Sequence, residues 1–156
     1  MRVVLLAVGR ARGPVADAVA EYEGRARRYW KLDVVEVPAG TRARSAEPGA
    51  VMEREGERLL ARVPEGLDLI ALTRHGTLMD TDQLADYLHE HQVDSRAGVA
   101  LVVGGAYGLA PSVLARARMR LSLSKMTLPH EMARLLVAEQ LYRAGTIVRG
   151  EPYHKG

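Results

Sequence analysis

The chain has 156 residues, 47% of them apolar and 26% charged, the balance of an ordinary globular domain, which excludes disordered and fibrous classes. It contains no cysteine, which excludes disulfide scaffolds, thiolate metal sites and cysteine nucleophiles. The net charge of +3 does not by itself mark a nucleic-acid partner, but from Ser112 onward eight basic residues stand against three acids, a local +5 that leaves −2 elsewhere.

The length predicts a single domain over 1–156. Residues 3–8 (VVLLAV) are the longest apolar run and end at Gly9. They fall far short of the roughly 20 residues that span a bilayer, so a buried first strand is expected, with no membrane segment or leader and a cytoplasmic location. Pro14 opens a helix predicted through Tyr29. Residues 34–37 (VVEV), closed by Pro38, give a second strand, and Pro48 through Arg62 a second helix with Glu53, Arg54, Glu57 and Arg58 toward solvent. Residues 67–72 (LDLIAL) give a third strand followed by a loop over 73–79. Asp80 with Gln83 three positions later is a capping box for a helix through His91. Residues 99–103 (VALVV) give a fourth strand running into Gly104 and Gly105; a short helix over 112–118 and a weaker strand at 121–123 follow. Met132, Leu135, Leu136 and Tyr142 mark the apolar face of a long last helix ending near Gly145.

Strand and helix alternate five times, which predicts an α/β fold: a mostly parallel sheet with helices on both faces. Ligands bind such sheets beyond the carboxyl ends of the strands, so three turns matter: 73–79, 104–110 and 124–129.

Three segments carry candidate chemistry. In GGAYGL, residues 104–109, adjacent glycines let backbone approach a ligand closely, although a tight strand-to-helix turn explains them equally well. In LSKMTLPH, residues 123–130, a rigid loop with apolar Met126 and Leu128 precedes His130, a general base or an ordinary surface histidine. The tail EPYHKG sets Tyr153, His154 and Lys155 side by side: groups to stack on a base, move a proton and hold a phosphate, or else a frayed end. His75, His89 and His91 have no metal-site spacing, and no metal is expected.

Taken together, LTRHG (72–76), GGAYGL, LSKMTLPHEMARLLVAEQLYRA (123–144) and PYHK (152–155) resemble the SPOUT-superfamily methyltransferases that modify N3 of a pseudouridine in large-subunit ribosomal RNA. The resemblance extends over nearly the whole chain, including LLAVG (5–9) and VPAG (37–40). It implies a sheet whose C-terminal part threads a loop as a trefoil knot, a homodimer, and S-adenosylmethionine held bent in the knot loops at the dimer interface. By motif, the cofactor positions are Leu72, Gly104, Gly105, Ser124, Lys125, Met126, Thr127, Leu128 and Pro129. The family commonly carries an acid after the leucine of the first motif and an acidic or polar residue before the last glycine of the second; this chain has Thr73 and Tyr107.

The chemistry so implied needs the N3 proton removed. His154 is the first candidate base and His130 the second, with Tyr153 orienting the target base and Lys155 or Arg134 stabilising developing negative charge. Because the family site lies at a subunit interface, the tail of one subunit is expected to complete the site of the other. Arg25, Arg28, Arg42 and Arg134 are the expected contacts to ribosomal RNA, read as a folded ribosomal surface. The alternatives are a ribosome-binding or assembly factor with a vestigial cofactor pocket, marked by Thr73 and Tyr107, and a methyltransferase of small molecules.

Overall fold

A computed structural model describes residues 1–155. Five strands, β1 (Arg2–Val8), β2 (Lys31–Val37), β3 (Asp68–Leu78), β4 (Gly98–Val103) and β5 (Met119–Ser122), alternate with five helices: α1 (Pro14–Ala26), α2 (Pro48–Arg62), α3 (Thr81–Val93), α4 (Pro111–Arg116) and α5 (His130–Val148). The sheet order is β2-β1-β4-β3-β5, and every pairing is parallel.

The apolar runs dictate this burial. Alternate residues of a strand point to opposite faces, so Val3, Leu5 and Ala7 join the core beneath α1, α3 and α5, whereas Val4, Leu6 and Val8 join the core beneath α2 and α4. Because both faces are covered, the strand has no polar alternation. The capping box is present: Asp80 accepts from the Gln83 amide at 2.8 Å and the Gln83 side chain accepts from the Asp80 amide at 2.8 Å.

Four local expectations are corrected. The 73–79 segment is not a free loop: β3 continues through it as an irregular strand in which Leu72 and Thr77 both stand opposite Leu121. Helix α1 stops at Ala26 rather than Tyr29: tighter turn bonds, Arg28 amide to the Arg25 carbonyl and Tyr29 amide to the Ala26 carbonyl, follow it, and the Trp30 ring beyond them donates to the Leu141 carbonyl at 2.7 Å. Helix α5 runs past Gly145 to Val148; that glycine is a packing gap, since a Cβ there would overlap the Tyr29 side chain. The buried face of α5 is Arg134, Val137, Ala138, Leu141 and Ala144, which leaves Met132 and Leu136 exposed instead of inside.

Candidate active site

The three turns picked out by strand polarity meet around one cavity of about 460 Å³ at the carboxyl end of the sheet. Leu72, Thr73, Arg74 and His75 of the irregular β3 stretch form one wall. Gly104 through Leu109, at the end of β4, form a second, and Leu123, Ser124, Met126, Thr127, Leu128 and His130 a third. That volume is of the size that holds a drug-sized or cofactor-sized ligand, and its mixture of apolar walls with exposed backbone suits one.

The glycines are there for reasons of space. A Cβ on Gly104 would stand 2.7 Å from the Gly108 carbonyl carbon, so the turn cannot close over a larger residue. Gly105 pairs across the turn with Gly108, whose amide donates to the Gly105 carbonyl at 3.1 Å. The third wall is tied by short polar bonds: Ser122 Oγ reaches the Arg74 and Ser124 carbonyls at 3.2 and 3.0 Å, and the Met126 amide donates to Ser124 Oγ at 3.0 Å. Ser122 thus joins the β3 wall to the β5 wall.

Of the residues expected to hold a cofactor, Leu72, Gly104, Gly105, Ser124, Met126, Thr127 and Leu128 line this cavity. Lys125 and Pro129 lie in the same loop but are not on its wall, and Lys125 is exposed. His130 stands on the wall, its Nε2 4.0 Å from Glu131. Sequence reasoning missed Met52, which reaches the cavity from α2 and has no local signal, and gave His75 little weight although it too lines the cavity.

The tail is elsewhere. The Tyr153 ring packs 4.4 Å from the Tyr142 ring and beneath the Arg143 guanidinium, and its hydroxyl donates to Glu139 at 3.3 Å. His154 Nε2 lies 3.5 Å from Asp82 on α3. Glu139 and Arg143 follow Ala133, the last α5 residue on the cavity wall, by 6 and 10 positions, which at about 1.5 Å per residue sets the tail's contacts roughly 9 to 15 Å along the helix from the cavity of the same protomer. Burial, with the Tyr22 hydroxyl and the Glu139 carboxylate, pushes the Tyr153 phenol up to about 12. It is therefore a neutral hydrogen-bond donor near pH 7.

The arginines divide. Arg134 is 7% exposed, with Nε 2.8 Å from Glu23 and a terminal nitrogen 2.7 Å from Glu36. Both carboxylates hold it protonated against the cost of burial. Arg134, expected above as an RNA contact or a stabiliser of reaction charge, is instead buried between the buried carboxylate of Glu23 and the exposed one of Glu36, a triad joining α1, β2 and α5. Arg25 pairs with Glu21 at 2.8 Å and lies over the Tyr22 and Tyr142 rings, whereas Arg28 and Arg42 are exposed. Among the described residues no cluster of three His, Asp or Glu side chains is placed to hold a metal ion, and no helix is long and apolar enough to cross a membrane.

Comparison with known proteins gives the family. The family described as "Predicted SPOUT methyltransferase" matches residues 1–154. The chain is 54% identical over 156 residues to the ribosomal RNA large subunit methyltransferase H of Gemmatimonas aurantiaca, with 99% of this chain and 100% of that protein covered. It is 45% identical over 157 residues to the protein of the same name from Pseudomonas putida, with the same coverage of 99% and 100%. Among solved structures, a probable methyltransferase from Bordetella pertussis aligns with a TM-score of 0.55 at 21% identity, over 92% of this chain and 95% of that one, a likeness of fold. The chain belongs to the SPOUT methyltransferase family.

Proposed function

We propose that this protein transfers a methyl group from S-adenosylmethionine to N3 of a pseudouridine in large-subunit ribosomal RNA, acting on the assembled ribosome as a cytoplasmic homodimer. The observation that carries the reading is the convergence of the irregular β3 stretch and the turns after β4 and β5 on one cavity with glycine backbone on one side and apolar side chains on the other. The relatives named above as ribosomal RNA large subunit methyltransferases supply the substrate class. The same family membership carries the expected C-terminal trefoil knot.

The methyl donor brings an activated methyl on a sulfonium, so what this chain must supply is alignment and removal of one proton. The Gly104–Gly105 backbone lets a ligand approach within contact distance, and Leu72, Met126 and Leu128 give it apolar walls. Holding the two reactants in line is worth roughly 7–11 kcal/mol. His130 is the titratable group of the LSKMTLPH segment on the cavity wall; a placed base contributes about 10²–10⁴-fold.

His154 acts from the partner subunit. The tail lies too far along α5 to serve its own cavity, and Met126 (76% exposed), Met132 and Leu136 offer apolar surface in the third wall and the first turns of α5 for a second copy to cover. In that arrangement Tyr153, kept neutral, stacks on or donates to the target base, and Lys155 meets phosphate. Arg28 and Arg42, free on the surface, carry the electrostatic share of RNA affinity, with Arg25 beside them.

The test is to incubate the protein with ribosomes and a labelled methyl donor and map the label, alongside calorimetry with the donor alone. Label on N3 of a large-subunit pseudouridine is the expected result. Absence of donor binding would identify a ribosome-binding factor with a vestigial pocket, and turnover without ribosomes would identify a small-molecule enzyme.

A further inference from the structure

Glu55 is a buried acid that the chemistry above leaves unused. It is 3% exposed, on the inner face of α2, one turn after Met52 of the cavity wall. Its Oε2 accepts from the Gly40 amide at 2.9 Å. Its Oε1 is fully buried and has no hydrogen-bond partner among the described residues. The carboxylate lies flat against the cofactor turn: a Cβ on Gly105 would stand 2.8 Å from Oε1 and 2.9 Å from Oε2. Glycine at 105 is thus required by the acid behind it.

The other oxygen holds the base of the loop between β2 and α2. Arg58, three residues after Glu55, donates to the carbonyls of Pro38 and Gly40 at 2.8 and 2.7 Å. Glu55 and Arg58 therefore grip both ends of the Gly40 residue, and the loop that leaves from this clamp carries exposed Arg42 and Arg44. A single side chain touches the cofactor turn on one side and the root of a cationic loop on the other. A buried carboxylate oxygen without a donor is costly, and such a group calls for a state that satisfies it.

We propose that Glu55 is a positioning residue that couples cofactor binding to the cationic 38–47 loop. When the donor seats in the cavity, a backbone N–H of the 105–107 turn moves onto Oε1. The carboxylate, now held at both oxygens, fixes the Gly40 clamp and with it Arg42 and Arg44. Coupling of this kind is reciprocal, so RNA bound at the loop tightens the cofactor site in turn. The inference rests on the methyl-donor reading of the cavity.

Glu55→Gln isolates the coupling. An amide offers one carbonyl acceptor where the carboxylate offers two, so whichever way it turns, either the Gly40 bond or the turn bond is lost. Hydrogen exchange with and without S-adenosylmethionine, and calorimetry with the same compound, give the readout. In the wild type, donor binding is expected to protect amides in both the 104–108 turn and the 40–44 loop. In Glu55→Gln the loop response is expected to vanish and donor affinity to fall about tenfold, the loss that goes with one charge-assisted hydrogen bond. A merely structural acid would not move the loop response. Donor binding that leaves the wild-type loop unchanged, or a Glu55→Gln protein that matches the wild type in both readouts, overturns the inference alone. A wild type that binds no donor overturns the methyl-donor reading and this inference with it. If Glu55→Gln does not fold, the wild-type exchange pattern decides by itself.

Discussion

The cavity turns and the C-terminal tail both carry dense candidate chemistry, yet the fold treats them in opposite ways. The walls converge within one chain: Leu72 of the irregular β3 stretch, Gly105 after β4 and Met126 after β5 line one cavity. The tail turns away, with Tyr153 held by Tyr142, Arg143 and Glu139 and His154 beside Asp82. Parallel strand polarity explains the first, since it delivers every βα turn to one end of the sheet. Nothing comparable constrains a terminus, whose position follows only from the side chains it meets. The difference teaches that one protomer supplies a binding cavity without the tail's chemistry, so cofactor binding and methyl transfer should separate experimentally.

The sharpest way to break that separation is truncation. Removing residues 153–156 is expected to lower methyl transfer on ribosomes by about 10²–10⁴-fold, the share of a placed base, while leaving S-adenosylmethionine affinity unchanged. Full turnover in the truncated protein would place the proton transfer inside the cavity, on His130. Parallel loss of cofactor binding would show that the tail is part of the cavity after all.

The arginines allow a second contrast, between a cation inside the fold and one on its surface. Arg134→Ala leaves Glu23 buried without its partner, and breaking such a pair costs about 3–5 kcal/mol, to be read from urea unfolding. Arg42→Ala touches no buried group, so unfolding should not change; RNA affinity should fall and the slope of log affinity against log salt should shrink by about 1. A stable Arg134→Ala protein with weakened RNA binding would restore Arg134 to the surface role first assigned to it.

These contrasts mark what the sequence makes legible. Covered strands announce themselves because residues such as 3–8 are apolar on both faces, and Asp80 with Gln83 writes a helix start in local hydrogen bonds. The glycine turn is visible because 104 and 105 follow a strand directly. Met52 and Glu55 are not visible: Met52 lines the cavity and Glu55 backs Gly105 from α2, some fifty residues from the glycines in sequence, and no local pattern joins them. Gly145 misleads for a related reason. Glycine marks a helix end where the chain must turn, but here it makes room for Tyr29 across the α1–α5 contact, and only the packed partner tells the two apart. The exposure of Met132 and Leu136 departs from the expected face of α5, because Arg134 pairs with buried Glu23 and with Glu36 and takes the inward side with Val137 and Leu141.

The smallest effect sharpens the account of the tail itself. The Tyr153 phenol is held up at about 12, by burial first and then by Tyr22 and Glu139, against about 10 for an unfolded tyrosine. A raised folded value means that above pH 10 the unfolded chain releases a proton that the folded one keeps. The stabilisation is therefore fully present below pH 10 and lost as pH rises through 10 toward 12. The fall in melting temperature over that window should be shallower in Tyr153→Phe than in the wild type. It should not disappear, because Tyr29, hydrogen-bonded to Glu151, and Tyr87, raised by burial, also titrate above their ordinary value. If the two alkaline profiles coincide, Tyr153 is not held against Tyr142 in solution, and the tail is already free to reach a partner's cavity without first leaving its own helix.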